Sequence, residues 1–153
     1  MRRDLVRALA LIVGVVAVDQ ASKALVEGAV ERGEHESLVL GFDLVNVKNE
    51  GIAFGFLGDG GALVLVITLV ALALVVAWFV LAPARGGVWI AVGLLVGGAL
   101  GNLIDRVTED GVTDFIDPPL WPAFNLADVA ITAGVIVLIW IAFEHERAQA
   151  SEA

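Results

Sequence analysis

The sequence contains no cysteine. That absence removes disulfides, thiolate metal sites and cysteine nucleophiles together. Serine is nearly as scarce: Ser22, Ser37 and Ser151 are the whole set, and none sits in a Gly-x-Ser-x-Gly pattern. The two histidines, His35 and His145, stand in polar segments on opposite sides of the apolar runs. A Ser–His pair and a histidine metal site are therefore unsupported. Basic residues are outnumbered, 9 Lys and Arg against 18 Asp and Glu, leaving a net charge of −9 and a pI near 4.5. Such a surface is a poor match for nucleic acid.

Charge is also missing from long stretches of the chain. Gly60 to Ala84 and Gly86 to Ile104 carry none. Leu5 to Val26 is interrupted only by Arg7, Asp19 and Lys23, and Phe124 to Phe143 only by Asp128. About 20 helical residues cross a bilayer's hydrocarbon core, so these stretches read as four spans, at about 5–26, 60–84, 86–106 and 124–143. The apolar share is 59% without glycine, mean hydropathy is +0.89, and 17 glycines add to it. Soluble domains reach about 45–50% with glycine included. The runs lack the alternation of a membrane barrel. The fold class is thus all-α and polytopic, one membrane-embedded domain over residues 1–153. Arg2, Arg3 and Arg7 before an apolar core also suit a cleaved leader, but the small-residue cleavage site is poor, so the first span is expected to be retained.

Orientation follows the basic residues. Arg2, Arg3, Arg7, Arg85 and Arg147 fall on one side and Lys23, Arg32, Lys48 and Arg106 on the other. The narrow majority puts both termini in the cytoplasm. Fourteen of the 18 acids then lie outside with four cations, a net of 4 − 14 = −10. Two loops face outward, 27–59 and 107–123. Ser37 to Val47 has the β-branched and aromatic character of a hairpin or small sheet on the membrane surface, and Asn49-Glu50-Gly51 reads as a turn. Pro118, Pro119 and Pro122 exclude helix from much of the second loop. The tail from Glu144 is polar and is expected to fray.

Ionisable groups beside a span are functional candidates by default. Asp19 and Lys23 share one face at i and i+4, the spacing of an ion pair. Asn102, Asp105 and Arg106 end the third span on one face, behind Gly93, Gly97 and Gly101, whose spacing suits close helix packing. Asn125 and Asp128 open the fourth span, where a cap would explain one of them but hardly both. Asp114 is an acid among apolar neighbours in Val112-Thr113-Asp114-Phe115-Ile116. All lie at one depth, the outer boundary of the membrane. With serine, cysteine and histidine chemistry excluded, hydrolysis would fall to a carboxylate pair, one protonated and one ionised. Asp105, Asp114 and Asp128 rank equally for it.

Five blocks in order resemble the lipoprotein signal peptidase family, also called signal peptidase II. They are Asp19-Gln20-Ala21-Ser22-Lys23, then Asn49-Glu50-Gly51-Ile52-Ala53-Phe54-Gly55, then Gly97 to Arg106, then Val112-Thr113-Asp114-Phe115, and Phe124-Asn125-Leu126-Ala127-Asp128. The resemblance implies an aspartic dyad of Asp114 and Asp128 rather than Asp105. It implies that Asn49, Gly51, Asn102, Arg106 and Asn125 line the site and position the peptide, with Asp19, Lys23 and Asp105 supporting. It implies a β-platform and a mobile lid from the first outer loop. The expected substrate is a prolipoprotein whose signal peptide precedes a diacylglyceryl-modified cysteine, cut just before that cysteine. No metal and no cofactor are expected; the protein is expected as a monomer of the bacterial inner membrane with its site at the outer face. Thr113 stands where an apolar residue is more usual in the family.

Other classes make different demands. A transporter or proton channel needs ionisable groups at the bilayer midplane, and the middle of every expected span lacks them. A degenerate, lipid- or partner-binding relative would not need the dyad. A metal-dependent hydrolase would be silenced by a chelator.

Overall fold

The computed structural model describes residues 2–38, 40–49, 60–81, 86–109 and 111–152. In chain order the elements are α1 (Arg2–Ala29), β1 (His35–Ser37), β2 (Asp43–Asn49), α2 (Gly60–Leu81), α3 (Val88–Thr108), β3 (Val112–Asp117) and α4 (Leu126–Glu152). Arg2–Ala29, Val88–Thr108 and Leu126–Ala150 are each long and apolar enough to cross a membrane. The second expected span lies in α2, whose Val66–Phe79 forms a shorter apolar stretch among the described residues. Leu9, Val13, Leu74, Ile136 and Trp140 are exposed on the outside of the bundle, a surface suited to lipid rather than water.

Two helices run beyond the expected spans. α1 starts at Arg2 and continues to Ala29. α4 continues to Glu152 instead of fraying after Phe143. Arg147 pairs with Glu144 at i,i+3 and Gln149 meets His145 at i,i+4, in a segment of good helix formers.

The centre of the bundle is α3, and its glycines explain why. A Cβ at Gly93 would lie 2.7 Å from Leu11, and one at Gly97 would lie 2.8 Å from Val15. One at Gly101 would lie 2.5 Å from Asp19 Oδ2. Residues 11, 15 and 19 climb α1 one turn at a time, so the glycine row is the seam on which α1 rests. Gly98 and Gly134 bring α4 equally close on the other flank, against Ala127, Ile131, Ala91 and Leu95. The packing reading of these glycines is what the helices display.

The strands form one antiparallel sheet in the order β1-β2-β3. The hairpin expected at 37–47 appears as β1 and β2, and the second loop adds a third strand. Lys48 faces Thr113 and Asn49 faces Val112 in register, with an irregularity between Leu44 and Val47. Val26, Val30 and Phe115 form a small core beneath the sheet, with Leu44, Ile116 and Leu126 packed against it. β3 contacts both α3 and α1 and so lies across their ends. The expected turn and lid over 49–55, including Gly51, lie outside the described residues apart from Asn49.

Candidate active site

Asp114 sits on β3 with its side chain buried. Asp128 sits in the first turn of α4. Asn125 joins them. It is the residue before α4, and its Oδ1 accepts from the Asp128 backbone N–H at 3.0 Å. The Asp128 carboxylate in turn accepts from the Asn125 N–H at 3.3 Å. This is a reciprocal cap, and it satisfies backbone donors that an α-helix start leaves free. Capping therefore accounts for both residues, where the sequence suggested it would explain only one. The cap leaves the Asn125 amide nitrogen free to do more. It lies 2.7 Å from Asp114 Oδ1, 3.2 Å from the Thr113 carbonyl and 3.0 Å from Asn102 Oδ1.

Two more amides complete the ring. Asn49 Nδ2 donates to Asp114 Oδ2 at 2.9 Å. Asn102 Nδ2 donates to Asp128 Oδ1 at 2.8 Å. Burial pushes the Asp114 carboxyl up to about 6; the Asn49 hydrogen bond opposes that rise and the nearby Asp128 charge adds to it. Two carboxylates in one amide network with unequal surroundings can share a single proton, and such a pair can deliver an acid and a base to the same bond.

Beneath the ring lies an ionic layer. Lys23 Nζ is 2.7 Å from Asp19 Oδ2, 2.7 Å from Asp105 Oδ2 and 3.1 Å from Asn102 Oδ1. Asp19, Lys23 and Asp105 are all buried. Each acid also serves the backbone. Asp19 Oδ1 accepts from the Ala127 N–H at 2.9 Å, tying α1 to the start of α4. Asp105 Oδ2 accepts from the Thr113 N–H at 3.2 Å, tying α3 to β3. Gln20 donates to Asp105 Oδ1 at 2.7 Å. Asp105 is thus engaged with Lys23, Gln20 and Thr113. Arg106 Nη1 donates to the Asn102 carbonyl of its own helix at 3.2 Å.

A second ionic cluster escaped the sequence reading. Lys48 Nζ meets Glu27 Oε1 at 2.7 Å, Thr113 Oγ1 at 2.6 Å, and Glu109. Thr113 Oγ1 donates to Glu27 at 2.5 Å, so the unusual threonine has a polar purpose. Side chains alternate along a strand. Lys48 and Thr113 therefore point to the sheet face opposite Asn49 and Asp114, their chain neighbours. One signal was available: Glu27 follows Asp19 and Lys23 at the same four-residue step. The sheet also brings Asp43 and Asp117 within 4.8 Å of His35, a proximity the sequence did not indicate.

Membrane-crossing helices with a buried acid–amide cluster at one end define a polytopic membrane enzyme. Solved structures of the same shape agree. A bacterial membrane enzyme determined at 1.9 Å superposes with a TM-score of 0.80 at 32% identity, covering 86% of this chain and 89% of that one. Another, at 2.3 Å, has a TM-score of 0.79 at 31% identity over 90% of this chain and 87% of its own. The family is narrower than that class. Residues 11–144 match the family model for signal peptidase (SPase) II. The lipoprotein signal peptidase of Moorella thermoacetica is 43% identical over 136 residues, 86% of this chain and 89% of its own. That of Pelotomaculum thermopropionicum is 40% identical over 132 residues, 85% of this chain and 87% of its own. The chain belongs to the signal peptidase II family and is a peptidase.

Proposed function

We propose that this chain removes the signal peptide from prolipoproteins by cutting just before a diacylglyceryl-modified cysteine, with Asp114 and Asp128 as its dyad. The observation that carries the reading is Asn125, which caps α4 on Asp128 and donates to Asp114 from one side chain. In this mechanism Asp128 takes a proton from water as the oxygen attacks the scissile carbonyl carbon. Asp114, the carboxyl that burial favours as neutral, hydrogen-bonds the carbonyl oxygen and stabilises the developing charge. Collapse of the tetrahedral intermediate passes the proton to the leaving nitrogen of the cysteine. Asn49, Gly51, Asn102 and Arg106 position the peptide. Asp19, Lys23 and Asp105 hold the elements that present the dyad.

The substrate is itself membrane-anchored, so its scissile bond is held at a constant depth, and no soluble domain is needed to fetch it. The reading includes a single domain, monomeric, in the bacterial inner membrane, with both termini cytoplasmic and the dyad at the outer face. The test is cleavage of a diacylglyceryl-modified prolipoprotein by the purified protein in lipid, with EDTA present. Cleavage before the lipidated cysteine, abolished in both Asp114→Asn and Asp128→Asn, is expected. A folded wild type that does not cleave, or one that EDTA silences, refutes the reading.

A further inference from the structure

The two turns farthest along the sheet carry large apolar side chains in the open. Leu40 is 91% exposed and Leu120 is 104% exposed. Leu38, Phe42 and Trp121 beside them are also exposed. Scattered surface leucines need no explanation. These are not scattered: a Cβ at Gly41 would lie 3.7 Å from Pro119 Cγ, so the β1–β2 turn and the turn after β3 adjoin. Both exposed leucines also occupy left-handed backbone, with φ of 61° at Leu40 and 67° at Leu120. That conformation is uncommon for any side chain and least suited to bulky ones. Leu40 precedes Gly41, itself at φ 80°, a pair of positions where hairpins favour Asn-Gly. Each leucine is disfavoured twice in water, by its backbone and by its exposure.

A lipid surface removes the cost of exposure and so offsets the strain of the backbone. β3 contacts both α1 and α3, so the sheet that carries these turns is mounted on the bundle rather than detached from it. The apolar belt continues to the ends of the helices, with Leu25 on α1, Val107 on α3 and Val129 on α4 all exposed. Lipid that covers those residues adjoins the turns. Tryptophan is a preferred residue of the membrane–water interface, and Trp121 stands in the patch.

We propose that Leu38, Leu40 and Phe42, with the turn at 118–121, form a foot that inserts into the lipid leaflet at the site's end of the bundle. The foot braces the far end of β3, and hence the height of Asp114, against the membrane. The occupant is lipid, not a second protein. The inference needs only membrane embedding and does not rest on the cleavage reaction.

The chain has no native cysteine, so single labels are direct. Leu40→Cys, Leu120→Cys and, as a polar control on the exposed segment before β1, Glu34→Cys each receive an environment-sensitive fluorophore. The proteins are reconstituted in phosphatidylcholine–phosphatidylglycerol vesicles. The labels at 40 and 120 should be quenched by lipids bearing shallow nitroxides and shielded from aqueous iodide several-fold relative to the label at 34. Iodide access equal to the control at both positions overturns the proposal, as does shielding from iodide without quenching by the lipid nitroxides, which would signal a protein partner. If a left-handed site does not tolerate the label, Leu38→Cys, outside those positions, gives the same two readings.

Discussion

Replacing Asp114 by Asn is expected to stabilise the folded protein at alkaline pH while removing its activity. Burial raises this carboxyl from 3.8 to about 6. The native state therefore binds the proton more tightly than the unfolded chain does. Below about pH 4 the group is neutral in both states and no penalty exists; between about 4 and 6 the penalty grows, and above 6 it is complete. A shift of about two units corresponds to about 3 kcal/mol. Asn carries no charge at any pH and escapes it. Asn49 and Asn125 both donate to Asp114, however, and an amide offers one oxygen where the carboxylate offers two. Losing one such hydrogen bond offsets about 1 kcal/mol. The net is about 2 kcal/mol of stabilisation at pH 8, or about 4–8 °C in melting temperature for a chain of this size, falling to about zero near pH 4.5. Thermal unfolding of wild type and Asp114→Asn in one detergent at both pH values reads this directly. A variant less stable than wild type at pH 8, or offset equally at both pH values, refutes the reasoning.

Other perturbations separate support from chemistry. Lys23→Met leaves Asp19 and Asp105 buried without their cation and should cost about 3–5 kcal/mol, seen as a large fall in melting temperature. Gly101→Ala drives a methyl into the Asp19 carboxylate and should destabilise by about 1–3 kcal/mol, measured the same way. Asn125→Ala loses a cap worth about 1 kcal/mol, yet its cleavage rate should fall by about 100-fold or more, because the same amide also holds Asp114. Cleavage as a function of pH should be lost as the pair becomes fully protonated and again as it becomes fully ionised. The upper limb should lie at or above about 6, and Asn49→Ala should move it upward by removing a bond that favours the charged Asp114.

Much of this was legible because membrane burial writes itself into composition. An uncharged run long enough to cross lipid admits helix almost alone, since each backbone polar group must find its partner within the segment. Asp19, Lys23, Asn102, Asp105, Asn125 and Asp128 stood out for the converse reason: polar groups in apolar runs demand partners. Asp114 was legible as an acid among apolar neighbours, but its strand was not. β3 pairs with β2 across more than sixty residues of sequence, and short strands need such distant partners to exist at all. The Lys48 cluster was hidden likewise, its members drawn from α1, β2, β3 and the residue that follows α3.

The sequence by itself determined the solvent, the helical class and the residue types available for chemistry, because those depend on local hydropathy and on which side chains are present. Tertiary structure decided how the acids divide their work. Asp105 and Asp114 look alike in sequence, each an acid beside apolar residues. One meets a buried lysine through α1 packed on the glycine row, and the other meets one amide across the sheet and another at the start of α4. What separates them is the set of groups within about 3 Å, and that set is assembled only when distant segments of the chain fold onto one another.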